Sequence, residues 1–182
     1  MKKLLLLLIL ALGGVSLQAQ QRISGQWALE ASGGIVTGKH IGGYGEIGFE
    51  KLFKSTASSL HVSFIFRGQK FNTEIDRSVG IQNYDLFALY GYEPLKSKTL
   101  PIVWQVLGGM YIGGESIPSS VIKDVYTVDE GGFRYGVAIG TQVEFIITKM
   151  FNLYVKPMGI YTLNSDVEKF AFVPGVGVKL YF

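Results

Sequence analysis

Cysteine is missing from all 182 residues, and histidine occurs only twice. Without cysteine there is no disulfide framework, no thiolate metal site and no bacterial lipoprotein anchor. Lysine and arginine nowhere cluster with interleaved aromatics, so the pattern of a nucleic-acid-binding surface is absent and no direct nucleic-acid contact is expected. Helical periodicity is lacking, and past the first residues no run approaches the roughly 18 to 20 apolar residues that a membrane helix needs. Charge is lean as well, at 17% of the chain. What is present is apolar: 48% hydrophobic residues, with 24 Gly, 12 Phe and 10 Tyr, which excludes disorder and implies one domain that buries itself against something.

The N-terminus explains part of that hydropathy. Met1-Lys2-Lys3 precedes an apolar run from Leu4 to Val15, followed by polar Ser16 and Gln18, the arrangement of a secretory signal peptide over residues 1–19. Residues 20–182 would then form the exported single domain. Leu17 departs from the small-residue rule for cleavage after Ala19, so the boundary can shift by a few positions. Loss of Lys2 and Lys3 reduces the formal charge from +3 to about +1, which gives no basic, partner-seeking surface.

The exported part divides into segments rich in Val, Ile, Phe and Tyr that alternate in polarity and are separated by Gly, Ser, Asn, Asp and Lys. Eight are expected, near 26–36, 44–52, 59–69, 82–92, 101–113, 132–147, 152–161 and 170–182. In the sixth, Phe133, Tyr135, Val137, Ile139, Thr141, Val143, Phe145 and Ile147 share one face, opposite Arg134, Gly136, Ala138, Gly140, Gln142 and Glu144. The third sets Leu60, Val62, Phe64 and Phe66 against His61, Ser63, Ile65 and Arg67, and the last sets Phe170, Phe172, Val176, Val178, Leu180 and Phe182 against Lys179, Tyr181 and small residues. A soluble sandwich or lipocalin studs its outer face with Lys and Glu. Here the charge-bearing face is lean and Gly-rich, which suits the narrow lumen of an all-β, eight-stranded antiparallel up-and-down transmembrane barrel of the outer-membrane type.

An even strand count and an exported N-terminus assign the connections. Those near 52–58, 93–100 and 148–151 share the end that holds the termini, expected to be periplasmic, with Lys51, Lys54, Lys96, Lys98 and Lys149 at its rim. Those near 37–43, 70–81, 114–131 and 162–169 share the other end and include the two longest. Apolar Phe71, Ile75, Ile117, Val121, Ile122 and Val125 in the two longest suggest either a packed cap or a partner surface. Girdle positions are expected for Trp27, Tyr44, Tyr92, Trp104, Phe133, Tyr135, Tyr161 and Phe182. A closing strand that ends on Phe182 looks like the signal that outer-membrane assembly machinery reads.

Candidate chemistry is thin. Gly43-Tyr44-Gly45-Glu46-Ile47-Gly48 fits G-x-G-x-x-G, but no helix follows and no Lys-Ser or Lys-Thr pair closes it, so no cofactor is expected. His61 and Ser63 lie two apart on one strand face, as a base and nucleophile of a lipid A-modifying barrel would. That face is expected to be the lumen, where a hydrogen-bonded interior is the plainer role. The only histidines are His40 in a loop and His61 on a strand, and Asp and Glu are scattered rather than clustered, so no metal site is expected. Glu30, Glu46, Glu50, Arg67, Asp85, Arg134, Glu144, Lys156 and Lys179 are expected to pair across the lumen as an ionic plug that closes any aqueous pore. No catalytic residue is assigned.

Several short stretches have a familiar order and spacing: Gln21-Arg22, Gln82 to Gly91-Tyr92, Gly113-Gly114-Glu115-Ser116-Ile117, Phe133-Arg134-Tyr135-Gly136 and Gly175-Val176-Gly177-Val178-Lys179-Leu180. In these the chain resembles the conjugative-transposon TraO family of Bacteroidetes. It departs at Thr162-Leu163-Asn164-Ser165-Asp166, where the family often has a Trp-Gly-x-Asp-like step, and at Ile23-Ser24-Gly25, where a Pro often follows the opening Gln-Arg. The resemblance implies a non-enzymatic outer-membrane component of a conjugal DNA-transfer apparatus, with other transfer proteins and outer-membrane lipid as partners and no small-molecule substrate. Two alternatives remain open, an adhesin or host-interaction barrel and a lipid A-modifying enzyme that uses His61 and Ser63.

Overall fold

The computed structural model describes residues 24–53, 57–72, 78–95, 101–116, 132–165 and 168–182. Ten strands follow in chain order: Trp27–Gly38 (β1), Ile41–Leu52 (β2), Ser58–Asn72 (β3), Ser78–Tyr92 (β4), Ile102–Ser116 (β5), Gly132–Ile146 (β6), Phe151–Lys156 (β7), Met158–Thr162 (β8), Phe170–Phe172 (β9) and Gly175–Tyr181 (β10). Each pairs antiparallel with its sequence neighbours from β1 to β6. β6 then pairs with β7 and β8, and β1 pairs with β9 and β10, which closes the sheet on itself. Closure places every described strand between two neighbours, so among the described residues no strand is left with an edge of unpaired N–H and C=O groups.

Ten segments amount to eight strands. Val143↔Val155 and Gly140↔Met158 keep one register on β6, and Gly34↔Gly175 and Thr37↔Phe172 keep one register on β1. The ladder is therefore continuous through both interruptions, and each falls at a proline, Pro157 or Pro174, which has no N–H to donate. Their carbonyls still accept, from Thr141 N at 3.1 Å and from Ile35 N at 3.3 Å. The eight-stranded expectation thus holds, with bounds that move by a few residues. β3 and β4 pair from Ser58↔Tyr92 out to Asn72↔Ser78, which shortens the expected connection at 70–81 to 73–77. β5 runs through Ser116, so its connection to β6 is 117–131. Ile75, Ile117, Val121, Ile122 and Val125 lie outside the described residues, as do 1–23 and with them the expected signal peptide.

Burial is inverted relative to a water-soluble protein. Ile139 is 70% exposed and Val176 65%, with Ile47, Phe49, Phe64, Leu86, Ile112 and Leu180 also facing out, whereas Glu50, Asp85 and Lys179 are wholly buried. In water such an apolar exterior carries a large free-energy penalty; in a bilayer it is the stable arrangement. Trp27, Tyr92, Trp104 and Phe182 face outward near one rim, and Phe133, Tyr135, Tyr161 and Phe170 near the other. Tyr44, expected in a girdle, points inward instead: it is buried and stands opposite Gly34 on β1. A Cβ on Gly34 would run into the Pro174 carbonyl and the Tyr44 ring, and one on Gly136 into the Tyr161 carbonyl and the Tyr111 ring. Glycine at these two places makes room inside the barrel for a tyrosine.

Candidate functional site

The site that the fold builds is its interior. All nine charged residues expected in the lumen are buried there. Period-two alternation puts them on one face of each strand, and closure brings the faces of non-adjacent strands together.

Toward the rim that carries Trp27 and Phe182, the Lys179 ammonium on β10 stands 2.8 Å from Glu30 Oε1 on β1, 2.6 Å from Glu50 Oε2 on β2 and 3.1 Å from Glu144 Oε2 on β6. Tyr181 donates to Glu144 Oε1 at 2.7 Å, and Asn152 donates to the same oxygen. His61 completes this cluster, with Nδ1 3.2 Å from Glu30 Oε1 and Nε2 3.3 Å from Glu50 Oε1. Gln105, from β5 across the lumen, donates to Glu50 Oε1 at 3.2 Å and to Ser59 Oγ at 3.1 Å.

A second pair follows. Lys156 on β7 donates to Glu46 Oε1 on β2, and Ser32 donates to Glu46 Oε2 at 2.8 Å. Toward the opposite rim Arg67 donates through Nε and a terminal nitrogen to Asp85 Oδ2, at 3.0 and 2.6 Å. Arg134 approaches Asp85 Oδ1 at 3.1 Å and donates to Asn83 Oδ1 at 2.7 Å and Glu115 Oε2 at 3.2 Å. Apolar Ile65, Phe87, Leu89, Leu107, Met158 and Ile160 pack among these groups, with Phe87 and Tyr111 stacked at 4.8 Å between centroids. Gln69 and the His40 backbone N–H donate to Glu168, which closes the column at its far end. His40 itself lies in the turn between β1 and β2. Burial holds its pKa below the usual imidazole range, and Glu168 pulls the other way.

His61 and Ser63 both point inward and are buried, so this pair presents nothing to a lipid acyl chain. The serine that His61 meets is Ser59, its Oγ 2.9 Å from Nε2. Sequence spacing carried that signal equally, since Ser59 and Ser63 flank His61 symmetrically on the same face. The glycine pattern at 43–48 lies wholly within β2, as extended backbone. No feature of spacing signals that Glu30, Glu50 and His61 meet, although closure brings one possible ligand atom of each within 4.8 Å of the others.

No protein-family model matches the chain, and no curated protein sequence matches it. Solved structures do. Neisserial surface protein A superposes with a TM-score of 0.67 at 13% identity, covering 87% of this chain and 98% of that one. The outer membrane protein OprG from Pseudomonas aeruginosa gives 0.62 at 11% identity, covering 88% and 97%. Ail, the attachment invasion locus protein of Yersinia pestis, solved with the heparin analogue sucrose octasulfate, gives 0.54 at 12% identity, covering 86% and 97%. At these identities the likeness is one of fold: a small outer-membrane β-barrel, matched over nearly its whole length.

Proposed function

We propose that the chain is a non-enzymatic outer-membrane component of a conjugative DNA-transfer apparatus, which acts through protein contacts at its loops or at its periplasmic end. The observation that carries the membrane part is the inversion of polarity, with Ile139 and Val176 outward and Lys179, Glu50 and Asp85 inside. The conjugative part rests on the resemblance at Gln82–Tyr92, Gly113–Ser116, Phe133–Gly136 and Gly175–Leu180. A role without chemistry suits the interior, where each charged side chain has a counter-charge and the serine–histidine pair is closed off from the outside.

Removal of the gene from the mobile element that carries it tests the reading. Transfer should collapse in a mating assay and return when the gene is supplied in trans, with the protein recovered in the outer membrane as a band whose mobility shifts on boiling. Undiminished transfer by the deletion strain would sink the conjugative role. A soluble, unshifted protein would sink the membrane one. The fold shared with Ail keeps a second reading in play, a surface-adhesion barrel. It predicts normal transfer and reduced binding of the deletion strain to host cells or sulfated polysaccharide.

A further inference from the structure

We propose that Glu30, Glu50 and His61 form a binding site for one divalent transition-metal ion, of the zinc type, inside the barrel near the rim that carries Trp27 and Phe182. The three residues come from β1, β2 and β3, and each offers a ligand atom within 4.8 Å of the others. Donors around a tetrahedral zinc ion stand roughly 3.3 Å apart, given metal–ligand bonds of about 2.0 to 2.1 Å. The His61 ring stands between the two carboxylates, with Nδ1 3.2 Å from Glu30 Oε1 and Nε2 3.3 Å from Glu50 Oε1. Nε2 and Glu50 Oε1 already have the spacing of two donors on one ion, and Glu30 has to turn to bring in its second oxygen. One imidazole with two carboxylates is a donor set suited to zinc and its neighbours rather than to magnesium or calcium.

Two further observations point to a ligand. Glu30 Oε2 is buried with no hydrogen-bond partner, a costly state inside a barrel. Lys179 holds Glu30 through Oε1 and Glu50 through Oε2, which leaves Glu30 Oε2 and Glu50 Oε1 for the ion. Gln105 supplies a fourth donor: its Oε1 is buried without a partner, and its amide already touches Glu50 Oε1, so turning the amide over presents the oxygen to the ion.

The probe is Zn2+ alone, with full-length, tag-free protein folded into detergent in its presence and then passed through a desalting column containing a weak chelator. A His40→Ala background leaves His61 as the sole imidazole in the chain. About one zinc per chain is expected by elemental analysis, with a loss of roughly tenfold or more in His61→Gln that still shifts on boiling. Zinc below about a tenth per folded chain, or equal zinc in His61→Gln, overturns the site. If His61→Gln does not fold, X-ray absorption at the zinc edge of the His40→Ala protein decides. A shell with one imidazole nitrogen supports the site, and an oxygen-only shell overturns it.

Discussion

Lys156 on β7 donates to the Glu46 carboxylate on β2, across the two strands, β10 and β1, that lie between them in the closed sheet. The pair exists only when the barrel is closed in its native register, because a one-residue slip turns either side chain to the lipid. Buried pairs of this kind add little net stability over an apolar replacement, but breaking one leaves a bare charge inside. Lys156→Met should therefore lower unfolding stability by about 3 kcal/mol, and adding Glu46→Leu should restore most of it. Urea unfolding in lipid vesicles measures both. Simple additivity of the two losses would show that the ion pair has no such role.

Arg134→Leu removes the group that bridges Asp85, Asn83 and Glu115. The unfolding midpoint should fall, by a loss of about 3 kcal/mol, while planar-bilayer recordings stay silent, because the apolar layer around Phe87, Leu107 and Ile160 still fills the lumen. A large new conductance with an unchanged midpoint would contradict the plugged interior.

Two glycines separate a packing role from mere chain flexibility. Gly34→Ala drives a methyl into the Pro174 carbonyl and the Tyr44 ring at the β1–β10 seam, where backbone cannot yield without disturbing closure. Gly45 faces outward, and a methyl there would meet nothing within 4 Å, so Gly45→Ala should fold as the parent does. Gel mobility before and after boiling reads out both, with a lost or weakened folded band expected for Gly34→Ala only. Equal behaviour of the two variants would remove Tyr44 from the account.

Ile139 lies at the middle of β6 and faces outward. If that face meets hydrocarbon, Ile139→Arg should cost about 2 to 4 kcal/mol in a bilayer. The same change in the rim residue Phe133 should cost about 0 to 1 kcal/mol. Unfolding from vesicles tests the gradient, and a flat response along β6 would place this face in water.

Most of the architecture is legible in the order of residues. Phe133 to Ile147 alternate with Thr141 as the one polar residue on the apolar face, Leu60 to Arg67 and Phe170 to Phe182 alternate nearly as well, and period two fixes which side chains turn inward before any partner strand is known. That is why all nine interior charges were assignable, and why the absence of cysteine and of long apolar runs left a strand-built membrane fold standing. Tyr44 went astray because a tyrosine near a strand end suits a girdle as well as a lumen. Its inward place depends on Gly34, across the β1–β2 hairpin, and on Gly175 of β10, remote in sequence. Strand ends past Gln69 and before Gln82 were hidden for a similar reason, since Lys70 to Asn72 and Ser78 to Gly80 are mostly polar or small and are held by pairing with each other.

Tertiary structure alone decided which interior groups meet. Alternation says that Glu30, Glu50, His61, Glu144 and Lys179 face the lumen; the angular position of each depends on how the closed sheet staggers its strands, a property of the whole ring that no single segment encodes. So the sequence determined the faces of this barrel, through a two-residue period that acts locally. Closure determined its ion pairs, its choice of Ser59 over Ser63 beside His61, and the convergence of two carboxylates and an imidazole, because those relationships depend on how separate strands are set against one another in the ring.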